Sequence, residues 1–106
     1  LRQNLDGAFT RRLDFVVAFD PPDAAQRLRL WRRLLPPGAP LDHDVELERV
    51  ASLYAIPGGM IRGAALSAGY LAAADGSAIA TRHLVHALRR EYAKAGQHFP
   101  GEPHQP

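Results

Sequence analysis

Arg11 and Arg12 stand together between a short helix-like segment, Asn4 to Thr10, and the apolar run Phe15 to Phe19. Fifty residues later Arg62 closes the run Gly58-Gly59-Met60-Ile61-Arg62. A guanidinium stays charged and forks onto phosphate oxygens, so arginines from two such places can reach one phosphate from opposite sides. Transfer of a terminal phosphoryl group needs that kind of charge neutralisation around its equatorial oxygens. Two plainer readings stand beside this one. An Arg-Arg pair is often only a solvated surface feature, and the stem of Arg62 could simply lie over neighbouring alanines. His83 and His86 fall at i and i+3 and could meet a metal on one helix face, but no third ligand accompanies them and they read as surface histidines.

The elements that must position these residues are mostly helical. Phe15, Val16, Val17 and Phe19 are apolar on both faces of a strand, as in a buried parallel sheet. A lone strand cannot satisfy its own backbone groups, which implies a sheet supplied by residues preceding Leu1. Asp20 can then cap a helix opened by Pro21-Pro22-Asp23 and running to about Leu35, with Leu28, Trp31 and Leu35 as its apolar stripe and Arg27, Arg29, Arg32 and Arg33 on other faces. Trp31 reads as a core anchor. A second helix is expected near Val45 to Ala55. A third, Gly59 to Ala74, contains nine alanines and glycines and should sit centrally, because small side chains let neighbouring helices approach closely. Asp75-Gly76 ends it. Thr81 caps a fourth helix, about Arg82 to Ala95, in which Leu84, Leu88 and Tyr92 repeat every four residues and Gly96 supplies the stop. Arg89, Arg90 and Glu91 read as its solvated end. His98 to Pro106, with three prolines and a glycine in nine residues, reads as a disordered tail.

The order of these features resembles the final part of an AAA+ ATPase. Asp6-x-Ala8-Phe9-x-Arg11-Arg12-Leu13 is similar to the arginine-finger region, and Phe15 to Phe19 to the last strand of the nucleotide-binding subdomain. Pro22-Asp23, Arg27 and Trp31 resemble the start of the helical lid. Gly58-Gly59-x-Ile61-Arg62-x-Ala64-Ala65 resembles its sensor-2 helix, and Ala87 to Gly96 its last helix. The resemblance implies an all-α, four-helix AAA+ lid bundle at 21–97, preceded at 1–20 by a strand and helical turn left over from the α/β nucleotide-binding subdomain. It implies Arg11 or Arg12 as the finger acting in trans, and Arg62 with Gly58 and Gly59 on the phosphate side of ATP. It further implies ATP and Mg2+ in a full-length parent, a homo-oligomeric ring, expected to be a hexamer, and a protein substrate that the ring remodels or assembles.

Composition limits the alternatives. No Gly-x-x-x-x-Gly-Lys-Ser/Thr loop and no strand ending in paired acidic residues occurs, so this fragment alone is expected to bind no cofactor and to hydrolyse nothing. Without cysteine there is neither a disulfide nor a thiolate metal site. No stretch approaches the ~18 apolar residues of a membrane span, and the expected location is the cytoplasm. Net charge is +2, from 13 Lys and Arg against 11 Asp and Glu. That balance falls short of the concentrated basic face of nucleic-acid binders. A helix-turn-helix DNA-binding unit spanning 45–74 is the competing reading, but its recognition helix would offer one arginine to bases and phosphates. A helical protein-interaction module is the third.

Overall fold

Asp23 decides where the first helix begins. The computed structural model describes residues 20–103. Arg11, Arg12 and the strand expected at Phe15 to Phe19 lie outside the described residues. Helix α1 spans Ala24–Leu34, and the Asp23 carboxylate accepts the Gln26 N–H at 2.8 Å while the Gln26 side chain accepts the Asp23 N–H at 2.8 Å. This reciprocal pair satisfies two donors at once, so the cap falls at Asp23 and not at Asp20, leaving Pro21 and Pro22 outside the helix. Helix α2 follows at Leu47–Leu53, α3 at Gly58–Asp75 and α4 at Thr81–Lys94. The fold is all-α, and the only strand-like pairing among the described residues is a single parallel bridge between Leu41 and Ile79. There the Ile79 N–H donates to the Pro40 carbonyl at 2.9 Å and the Asp42 N–H to the Ile79 carbonyl at 2.8 Å.

Helix α3 is the centre of the bundle, packing against both α1 and α4, while α2 packs on α1. Ile61, Ala64, Ala65, Ala68 and Ala72 recur at helical spacing and are buried, and Trp31, Val50, Tyr54, Ile56, Leu84 and Leu88 close over them. Gly76, at φ 66°, ends α3 in the left-handed conformation that glycine adopts without a Cβ penalty. The Gly76 N–H reaches the Ala73 carbonyl and the Ser77 N–H the Ala72 carbonyl, each at 3.0 Å, which satisfies the last turn.

Two glycines of α3 set how near its neighbours come. A Cβ at Gly69 would lie 2.8 Å from Cγ of Pro36, a rigid ring at the end of α1, whereas a Cβ at Gly63 would meet the Glu91 carboxylate at 2.7 Å, the far end of a flexible side chain. Gly69→Ala is therefore expected to lower stability by about 1–3 kcal/mol through overpacking, in spite of a propensity gain near 1 kcal/mol. Gly63→Ala should stay within about 1 kcal/mol of the parent, because Glu91 can swing aside. Urea unfolding of both variants checks the order, and a Gly63 variant less stable than the Gly69 variant would contradict this packing.

Three side chains expected at the surface are committed to the interior. Arg27 is buried, donating from Nε to the Ala51 carbonyl and from an Nη to the Pro22 carbonyl, both at 2.7 Å. It was placed on an outer face because helical periodicity cannot reveal carbonyls contributed by other segments. His83 is buried as well: its Nδ1 accepts the Ala80 N–H at 2.9 Å and its Nε2 lies 2.7 Å from the Asp75 carboxylate. Glu91, expected in a solvated helix end, is buried against α3 and pairs with Lys94 at 2.8 Å.

The tail also departs from its compositional reading over 98–103. Phe99 stacks on Tyr54 with ring centroids 5.6 Å apart and meets Tyr92 edge-on at the same distance. Its one aromatic ring finds a cleft between α2 and α4 and is half-buried there, which offsets part of the cost of ordering a proline-rich segment.

Candidate functional site

The segment leading into α1, the outer face of α1 and the first residue of α3 enclose an open groove of about 740 Å³. Asp20, Pro22, Gln26, Leu30 and Gly58 line it together with Arg29, Arg32 and Arg33. Its geometry is built from parts already fixed for other reasons. The capping pair with Asp23 holds Gln26, and Arg27 ties the Pro22 carbonyl to the α1–α2 junction. Gly58 borders the groove on the α3 side, where a Cβ would make ordinary contact, 3.7 Å, with the Leu30 side chain.

The electrostatics of this face are one-sided. Arg29, Arg32 and Arg33 are exposed and form no ion pair or hydrogen bond with other described residues. Among the described residues Asp20 is the one acidic group lining the groove. Helix α3 begins behind Pro57 with no side-chain cap. The Met60 and Ile61 N–H groups bond the Pro57 carbonyl at 3.0 and 3.2 Å, which leaves those of Gly58 and Gly59 without a partner among the described residues at the positive end of the helix dipole. Gly58 belongs to the groove lining, and Gly59 is exposed with open space where a Cβ would stand. Arg62 is exposed one turn further along α3, on the same helix side as Gly58 but outside the groove lining. The structure thus brings Gly58 together with the α1 arginines and leaves Arg62 at its margin.

Sequence reasoning overlooked the three α1 arginines as a site. Their signal was present, since positions 26, 29 and 33 share a side of α1 with 32 beside them, but three charges on an amphipathic helix read as ordinary solvated residues.

A second polar cluster joins the two helix-linking loops. The Asp44 carboxylate accepts the Thr81 N–H at 3.1 Å and the Asp44 carbonyl accepts the Thr81 hydroxyl at 2.9 Å. Asp44 therefore supplies the N-terminal cap of α4 from another loop, where Thr81 had been expected to cap. That backbone hydrogen bond from Thr81 is the main cause holding the Asp44 carboxyl below the usual range. Asp75 is lowered too, chiefly by its hydrogen bond with His83. With both ring nitrogens engaged, His83 serves packing, while His86 is exposed. Among the described residues no group of three or more His, Asp or Glu could hold a metal ion.

Residues 23–94, from the cap of α1 to the last residue of α4, match the family model described as contractile injection system ATPase helical domain. No curated protein and no solved structure gives a significant match.

Proposed function

The chain belongs to the contractile injection system ATPase helical domain family, and from that premise we propose that it is the AAA+ lid of such an ATPase, placing its sensor-2 arginine on bound ATP. The observation that carries this reading is the start of α3, which has no side-chain cap and where Gly58 opens onto a groove walled by three exposed arginines one turn before Arg62. An anion at that corner would meet backbone N–H groups, the helix dipole and guanidinium charge together. In this reading Arg62 acts in cis on the nucleotide phosphates, with Gly58 and Gly59 allowing close backbone approach. Arg11 or Arg12 acts in trans as the finger. ATP and Mg2+ are bound chiefly by the phosphate loop and acidic strand of the parent, which this sequence does not contain.

A ring is the natural assembly for a finger in trans, and a hexamer is the expected size; its work is the remodelling or assembly of a protein partner in the cytoplasm. Among the described residues no helix is long and apolar enough to cross a membrane. The helix-turn-helix alternative gains little from α3, whose exposed side presents Leu66 and Tyr70 in the turns after its one cation.

Arg62→Ala in the full-length parent should slow ATP hydrolysis on the order of 10²-fold, the usual loss when one preorganised donor to developing charge is removed. Circular dichroism should show the helices intact, since Arg62 is exposed. An unchanged turnover rate would remove Arg62 from the phosphate site.

A further inference from the structure

Helices α2 and α4 do not pack on each other, each resting instead on a different partner in the bundle. The cleft between them is filled by residues 98–103, which lie beyond the family match. Their contacts are varied in kind. Phe99 enters a cage formed by the Tyr54 and Tyr92 rings, with the Arg89 guanidinium 4.4 Å above its own ring. Two main-chain carbonyls are read by side chains from the α2 side: the Tyr54 hydroxyl donates to Gly101 at 2.6 Å and Arg49 Nε donates to Pro103. Arg89 also lies 3.5 Å from the Glu102 carboxylate.

An aromatic socket, donors aimed at backbone carbonyls and a cation facing an acid are the parts from which extended-peptide grooves are made. We infer that the α2–α4 cleft is a recognition groove for an extended segment bearing an aromatic residue followed three positions later by an acid, and that residues 98–103 are its resident, displaceable ligand. Tyr54 remains a donor across the neutral range, because burial pushes its phenol up to about 12.

Displaceability follows from how the segment is held. The ion pair is half-exposed and of the kind that contributes little. Neither reader of the carbonyls depends on the identity of Gly101 or Pro103. Glu102 also borders a hollow of about 380 Å³ lined by Asp44, Thr81, Arg82, Val85, His86 and Arg89, so the cleft extends along α4 beyond the aromatic socket. The short link through Gly96 and Gln97, whose N–H groups bond the Ala93 and Tyr92 carbonyls, gives the resident segment a high effective concentration. Binding in trans is therefore suppressed until the tail is weakened or outcompeted.

The test uses the whole chain and a fluorescent peptide of residues 97–103. Phe99→Ala in the chain should empty the socket, and the labelled peptide should then bind at least tenfold more tightly to the variant than to the parent. A peptide carrying the same Phe99→Ala change should bind neither chain. Adding Tyr54→Phe to the Phe99→Ala chain, which keeps the ring and removes the carbonyl donor, should weaken peptide binding severalfold. Equal binding to both chains, or binding indifferent to the phenylalanine of the peptide, would overturn the proposal. Should Phe99→Ala prevent folding, Phe99→Leu with Glu102→Ala, which weakens the resident segment and leaves the groove intact, serves in its place, and equal peptide binding to that variant and to the parent would count against the groove equally.

Discussion

Trp31→Ala will lower the stability of the domain by about 3–5 kcal/mol, the range for deleting a fully buried aromatic residue. The indole is completely inaccessible and belongs to the cluster shared by α1, α2, α3 and α4. Collapse cannot repair the gap easily, because the α3 face of that cluster is largely alanine, whose side chains cannot extend into a cavity. With total stabilities of small domains near 5–15 kcal/mol, the variant would be marginal. Trp31→Phe gives a useful contrast. The indole Nε1 is buried with no hydrogen-bond partner among the described residues, and an unmet donor of that sort costs about 1–3 kcal/mol. Phenylalanine removes that donor while keeping most of the ring, so its loss should be clearly smaller than that of alanine. Denaturant unfolding measures both, and a loss under ~1 kcal/mol for alanine would place the indole outside the core.

The largest kinetic effect is expected from the finger. If Arg11 or Arg12 reaches the site of a neighbouring subunit, its replacement by alanine in the full-length parent should reduce turnover by roughly 10³–10⁵-fold. Mixing separates this role from that of Arg62. A finger variant has an intact site but gives nothing to its neighbour, whereas Arg62→Ala has a damaged site and an intact finger. Alternating subunits therefore restore complete sites at some interfaces, and the mixed ring should be faster than either parent variant alone. Absence of complementation between finger and Arg62 variants, with each alone inactive, would put all these arginines in one site and contradict action in trans.

Much of the helical framework was legible because it rests on local patterns. The four-residue repeat of Leu84, Leu88 and Tyr92, the alanine face of α3 and the Gly76 stop all depend on neighbours along the chain, and helices stand where these placed them. The capping box was legible too, since Gln26 follows Asp23 by three residues, yet the adjacent prolines drew the boundary back to Asp20. What local patterns could not reveal were partners distant in sequence. Arg27 bonds a carbonyl 24 residues away and Tyr54 one 47 residues away. Backbone carbonyls occur at every position, so nothing in a sequence marks which one a side chain will find. The same holds for the candidate groove: Gly58 was named from its motif, but its meeting with Arg29, Arg32 and Arg33 is a product of packing.

The Leu41–Ile79 bridge acts as a shear pin. It ties the loop after α1 to the loop before α4, and its two hydrogen bonds lie where the α1–α2 pair and the α3–α4 pair would otherwise slide past one another. Any such sliding would have to break both bonds together with the Asp44 contacts to Thr81, so four hydrogen bonds from two loops resist it at once.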